Sequence, residues 1–168
     1  NTLPKKPSDI SHYQWLHVDH FGVRALKEWG VVRGSGPKLS IDYGYAVAGV
    51  NAGDFDLYAP SEKVTTDLST AKADKNLVVI PRGRNGCTFS DRGVEGSVPA
   101  IEIEVVSTLG AGDVFHGALV AAQIWGKSLS ESVQIATVAA GLKCRSLDGQ
   151  SGIPKKAELD AYLAEVRI

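Results

Sequence analysis

Short apolar blocks, each closed by glycine, proline or a charged residue, set the rhythm of the first half of the chain. Trp15-Leu16-His17-Val18-Asp19 reads as a short buried strand, followed by a helical stretch from about Val23 to Trp29 that stops at Gly30. Lys38 to Asp42 reads as a second strand, again ending in an acid, and Asp56 to Ala59 as a third, closed by Pro60-Ser61-Glu62. Leu77 to Ile80 is almost purely apolar, the pattern of a strand covered on both faces. It breaks at the turn from Pro81 to Gly86, and Cys87 to Ser90 returns as a strand that ends at the turn Asp91-Arg92-Gly93. Later, Ser128-Leu129-Ser130-Glu131 has the spacing of a capping box, and the helix it starts is rich in alanine through Gly141. Lys155 to Val166 sets Leu159, Tyr162, Leu163 and Val166 on one face of a closing helix behind Pro154. Alternation of this kind predicts an α/β fold with a mostly parallel sheet and helices on both of its faces.

Between these halves lies Val105 to Ala122, VVSTLGAGDVFHGALVAA, in which strand-prone residues run into Gly110-Ala111-Gly112, then Asp113, then an apolar, small-residue segment that reads as a buried helix. A helix N-terminus carries N–H groups without partners and the positive end of the macrodipole, so it attracts anions. Residues with almost no side chain leave that backbone bare, and a phosphate can come within hydrogen-bond reach. A carboxylate at Asp113 would repel a static phosphate, which points to a second task, taking a proton from a hydroxyl that attacks the phosphoryl group. An N-cap that satisfies one amide is the alternative the same pattern allows.

In α/β sheets ligands gather at the carboxyl ends of strands. Asp19, Asp42, Glu62, Arg82-Gly83 and Gly110 to Asp113 all fall at or just after such predicted ends, and so are expected to converge on one crevice. Asp42 could bind a substrate or order magnesium water there, or serve as a structural cap. His12, His17 and His20 match no helical metal-site spacing and read as surface or cleft histidines, and His116 reads as packing against a strand.

Charge and composition narrow the partners. With 18 basic and 19 acidic residues among 168, the net charge of -1 offers no footprint for nucleic acid or an anionic membrane. No apolar run is long enough to span a bilayer, and Asn1 opens no charged-then-apolar leader. Cys87 and Cys144 lie far apart without C-x-x-C spacing, which argues against a disulfide scaffold or zinc site and for a reducing cytoplasm.

Ser107 to Val120 resembles the second signature of the ribokinase (PfkB) family of carbohydrate kinases at nearly every position. Ile80 to Cys87 is similar to the family's nucleotide-side glycine turn, and Leu147 to Pro154 to its C-terminal loop, in the same order and spacing. The resemblance implies a ribokinase-like, Rossmann-like three-layer sandwich, of which residues 1–168 form a single α/β domain matching the C-terminal, nucleotide-binding part of a larger kinase domain. The N-terminal half and lid of the family have no counterpart here. The resemblance further implies Asp113 as the base that activates a sugar hydroxyl, Gly110, Ala111 and Gly112 as the anion hole, and ATP phosphates bordered by Arg82, Gly83 and Gly86. Thr137 to Gly141 and Gly149 would flank adenine and ribose, and Glu62 would order magnesium and its waters. The implied partners are ATP with Mg2+ and a small sugar, in a chain that, like its family, could dimerise. A nucleoside kinase of the same fold and a non-catalytic nucleotide- or sugar-binding relative are the alternatives.

Several positions depart from the family pattern. Ser107 stands where many members carry an aspartate that helps hold a monovalent cation, and serine has no charge to offer, which argues against activation by K+. Val64 sits where the magnesium motif wants an acid, and Pro81 where a threonine is common. The short span between Glu62 and Leu77 reads as two segments joined across a gap near residues 66–75 of a longer polypeptide, an expectation that an intact mass of 17.8 kDa would overturn.

Overall fold

Six strands hydrogen-bond side by side in chain order: β1 (Trp15–Val18), β2 (Lys38–Tyr43), β3 (Leu57–Pro60), β4 (Leu77–Pro81), β5 (Cys87–Asp91) and β6 (Val94–Val98). The computed structural model describes residue 3, residues 5–71 and residues 75–165. β1 to β4 run parallel, with Trp15 opposite Lys38, Ser40 opposite Leu57 and Leu57 opposite Leu77. The helices are α1 (Gly22–Trp29), the short α2 (Leu68–Ala71), α3 (Ala111–Ile124), α4 (Leu129–Lys143) and α5 (Lys156–Glu165). This is the expected α/β architecture with a mostly parallel sheet. Among the described residues, no helix is long and apolar enough to cross a membrane.

The chain divides into two compact units, Asn1–Ile80 with Ser90–Glu95 and Pro81–Phe89 with Gly96–Ile168. In the first, Leu39, Ile41, Val78 and Ile80 of the strands pack with Val23 and Leu26 of α1 and with Phe55. The apolar run of β4 is buried throughout, as its sequence predicts. Gly30 ends α1 in the left-handed region (φ 65°), where its N–H reaches back to Leu26 and Lys27 carbonyls, the stop that the sequence announces. β5 and β6 are joined by Arg92 (φ 49°) and Gly93 (φ 98°), two consecutive positive φ values that a two-residue hairpin turn favours. Sequence reading finds that turn and misses β6, whose Val-Glu-Gly-Ser-Val buries only its last residue.

The second unit is built around α3 and α4. Ala122 of α3, Val138, Ala139 and Leu142 of α4, and Leu159 of α5 share one core, with Tyr162 and Leu163 at its margin. Val166, assigned by sequence to the same face, lies outside the described residues. So do residues 72–74 within the expected junction, whose neighbours form α2. Two expectations change here. No strand leads into Gly110, because residues 101–109 are irregular and the N–H groups of Val106 and Ser107 both donate to Cys144 O (2.9 and 3.1 Å). Nor is α3 buried all round, since Gly117, Ile124 and Trp125 lie exposed.

The capping box of α4 forms as predicted. Ser128 Oγ accepts the Glu131 N–H at 3.3 Å, while the Ser128 N–H donates to Glu131 Oε2 at 2.9 Å. Ser128→Ala is therefore expected to destabilise the fold by about 1 kcal/mol, read as a fall in Tm of roughly 2–4 °C. An unchanged Tm would show that the cap does not stabilise α4.

Candidate active site

The glycine turn after β4 is shaped by backbone geometry. The Arg82 N–H donates to Gly86 O at 2.7 Å, closing a loop in which Gly83 (φ 53°) and Gly86 (φ 80°) both adopt positive φ. A Cβ at Gly86 would stand 2.1 Å from Val98 O, so only glycine fits there. The Arg82 guanidinium turns to Thr88, with Nε donating to Oγ1 at 3.1 Å, whereas Arg84 lines the cavity beside the turn.

Helix α3 begins at a second backbone turn. Gly110 caps it at φ 77°, and a Cβ there would lie 2.9 Å from Gly149 O. The Ala111 N–H is taken by Thr108 O (3.1 Å), and the first intrahelical bond runs from the Val114 N–H to Gly110 O (3.0 Å). Gly112 and Asp113 therefore present the N–H groups that precede that bond, at the positive end of the helix. Gly110, not Asp113, holds the N-cap position, and it makes no side-chain cap bond. Asp113 is the third residue of the helix, with an exposed side chain, so the capping alternative raised by the sequence does not apply.

The turn of α3 borders two cavities. Ala111, Gly112 and Phe115 line one of about 550 Å3, together with Gly83, Gly86, Thr137 and Gly141. Its remaining walls are largely apolar, from Ile101, Ile103, Val105, Ala140 and Cys144. Thr137 stands on the wall of this cavity, with its Oγ1 buried and without a hydrogen-bond partner among the described residues. Gly110, Asp113 and Gly149 line the other cavity, of about 610 Å3, with Gln150, Lys156 and an apolar wall including Val114 and Trp125. One turn thus shows bare amides and small residues on one side and a carboxylate on the other, as the 100° step between helical residues dictates. The sequence singled out the glycines, Ala111, Asp113 and Thr137 among these positions; it did not single out Arg84, Phe115, Cys144, Gln150, Lys156 or the apolar walls at Ile101 and Ile103, and Gly149, expected beside adenine and ribose, lines the cavity on the Asp113 side.

His116 follows Asp113 by three residues and is buried against Phe115, with ring centroids 5.7 Å apart. Burial pushes its pKa down to about 4, against the opposing pull of the Asp113 carboxylate. It is therefore neutral at pH 7. The unfolded chain binds a proton that this site refuses, so the contribution is complete above the ordinary value of 6.5 and is lost as pH falls toward 4. Between those values, stability in urea is expected to drop by up to about 3 kcal/mol from this residue. His116→Leu should flatten that slope, and an unchanged slope would remove His116 as its source.

The acids of the first unit follow successive parallel strands. Asp19 follows β1 and accepts the N–H groups of Phe21 (3.0 Å) and Gly22 (2.7 Å), a local turn that opens α1. Asp42 is half-buried in β2, and Glu62 lies exposed in the turn after β3. His17 Nδ1 is paired with Ser40 Oγ at 2.9 Å. Among the described residues, no three His, Cys, Asp or Glu side chains form a metal-binding group. A magnesium ion that arrives on a nucleotide needs only one or two carboxylates, the rest of its shell being phosphate and water.

Residues 46–156 match the model of the pfkB family carbohydrate kinases. The chain is 36% identical to a Lactococcus lactis ribokinase over 97 residues, which span 58% of this chain and 32% of that protein. Among solved structures, it superposes on a Cryptococcus neoformans ribokinase in complex with ADP with a TM-score of 0.76 at 16% identity, covering 96% of this chain and 64% of the other. A Methanocaldococcus jannaschii nucleoside kinase gives a TM-score of 0.75 at 14% identity, covering 91% and 56%. These structural likenesses establish a ribokinase-like fold, and the chain spans about a third of the ribokinase it matches in sequence. On the family match, which covers both glycine turns and all of α3 and α4, the chain belongs to the pfkB family of carbohydrate kinases.

Proposed function

We propose that this chain carries the nucleotide cavity and the catalytic base of an ATP-dependent sugar kinase. The observation that carries the reading is the α3 turn, with the Gly112 side on the cavity of about 550 Å3 and Asp113 on the other. In this reading the apolar walls hold the adenine, Thr137 Oγ1 pairs with a polar atom of the nucleoside, and Arg84 and the glycine turn at Gly83–Gly86 face the phosphates. The Gly112 and Asp113 amides face the negative charge that builds on the transferred phosphoryl group, where prearranged dipoles act most strongly. Asp113 takes the proton from the attacking sugar hydroxyl, since phosphoryl transfer asks mainly for positioning and charge stabilisation. Magnesium, when bound with ATP, neutralises phosphate charge, and Glu62 is the carboxylate proposed to order its waters. Apart from Asp113, Gln150 and Lys156, the Asp113-side cavity is mostly apolar, so a polyol would draw its remaining hydrogen bonds from elsewhere.

The reading is tested by calorimetric titration with ATP, ADP and adenosine in magnesium buffer. Wild type should bind all three, and Thr137→Val should weaken all three alike, because the hydroxyl serves the nucleoside and not the phosphates. Wild type that binds none of them would overturn the proposal. A turnover screen over sugars and nucleosides then names the acceptor.

A further inference from the structure

Among the described residues, the largest side chain buried to 0% exposure is a lysine. Lys143 ends α4, and its Nζ donates to Ser107 O at 3.3 Å. Lysine is almost never buried so completely without a partner, and an apolar residue would fill the same space at lower cost. Among the described residues, Ser107 O is its one hydrogen-bond acceptor. That carbonyl lies at the root of the α3 turn. Val106 and Ser107 are already latched to Cys144 O through their N–H groups, and Leu109 donates to Ser107 Oγ at 3.2 Å. In a planar trans peptide, drawing Ser107 O toward the ammonium turns the Thr108 N–H to the opposite side. Thr108 O in turn accepts the Ala111 N–H, and Gly110 rests against Gly149. The loop beyond α4 comes back against the backbone of the same residue, where a Cβ at Gly152 would lie 2.4 Å from Lys143 O. The ammonium's charge also helps hold the nearby Asp148 carboxyl down to about 2, after the hydrogen bonds from Ser151 and Gln150.

We infer that Lys143 is a built-in monovalent cation: its ammonium fixes the Ser107–Gly110 turn so that phosphate binding at the α3 N-terminus needs no added K+ or Na+. Ser107 is the position at which the family resemblance implied a monovalent-cation site. Here the residue offers no carboxylate, and its carbonyl faces an ammonium. A second cation on that oxygen would stand within a few ångströms of a like charge, so the donor set does not fit K+. Lys143 is a positioning residue in this account. It rests on the nucleotide reading, because the turn it fixes is the one proposed to meet phosphate.

The experiment is calorimetric binding of ATP and of adenosine in buffer whose only monovalent cation is tetramethylammonium, repeated with added KCl. Wild type is expected to bind ATP equally well in both buffers. Lys143→Met should bind adenosine as wild type does and ATP at least tenfold more weakly. Lys143→Ala, which leaves room for an ion, should regain ATP affinity with KCl or ethylammonium. Lys143→Met binding ATP as tightly as wild type would overturn the inference. So would wild-type ATP affinity that rises with KCl, a measurement that needs no variant to fold. Wild type that fails to bind ATP in either buffer would overturn the nucleotide reading itself, an outcome distinct from both.

Discussion

An Asp113→Asn chain is expected to bind ATP as well as the parent, or more tightly, while turnover of the sugar falls by roughly 10²–10⁴-fold. The change is nearly isosteric, and the side chain is exposed in the first turn of α3. Gly110 holds the cap position, so no capping bond is lost, and the lost charge–dipole attraction of about 0.3–1 kcal/mol should lower Tm by no more than roughly 4 °C. What disappears is the carboxylate proposed as the base, beside the helix end proposed to meet phosphate. In that proposal its removal relieves repulsion on the phosphates and leaves the attacking hydroxyl without a proton acceptor. The loss should therefore fall on kcat, with KM for ATP unchanged or lower, the pattern of a group that acts in the transition state. Turnover within a few-fold of the parent would remove Asp113 as the base. Because the Asp113 charge raises the His116 pKa, the same variant should also shift that residue's titration further down.

Which features the sequence disclosed follows from the range of the forces that set them. Local rules were legible. The stop of α1 at Gly30, the box at Ser128 and Glu131, and the fully buried run of β4 each depend on residues within one turn or one strand. The candidate site was legible where its chemistry is also local, in the glycines and the aspartate at the start of α3. Reading failed where a distant group decides the outcome. Val105 and Val106 have strand propensity, yet Cys144 O captures the backbone at Val106 and Ser107, and tertiary context overrides the preference. Arg82 and Arg84 are indistinguishable as letters, and it is Thr88 that takes the first and leaves the second at the cavity. Asp19 and Asp42 both end apolar runs, but only Asp19 has the Phe21 and Gly22 amides within reach. Lys143 was not singled out, since its complete burial and its bond to Ser107 O, 36 residues upstream, are set by tertiary contacts.

Gly86→Ala is expected to be the most damaging single change in the second unit outside its apolar core. The added methyl would stand 2.1 Å from Val98 O and 2.8 Å from both Ala100 N and Pro99 C, all backbone atoms that cannot rotate away. It would also sit at φ 80°, where a Cβ costs about 1–2 kcal/mol before any collision. Overpacking against fixed neighbours adds about 1–3 kcal/mol, so a loss near 3 kcal/mol is expected in urea unfolding. The turn from Arg82 to Gly86 and the segment through Ala100 both border the cavity proposed for the nucleotide, so moving either apart should weaken ATP binding at least tenfold, roughly 1.4 kcal/mol. Gly83→Ala is the internal control. Gly83 has a positive φ of 53° but nothing within 4 Å of an added Cβ, so only the conformational cost, about 1 kcal/mol, should appear. Equal losses for the two variants would mean that conformation alone sets the cost at Gly86 and that the approach of Val98 is not a constraint. A larger loss for Gly86→Ala, accompanied by weaker ATP binding, would identify the close packing of these two backbones as what keeps the cavity open.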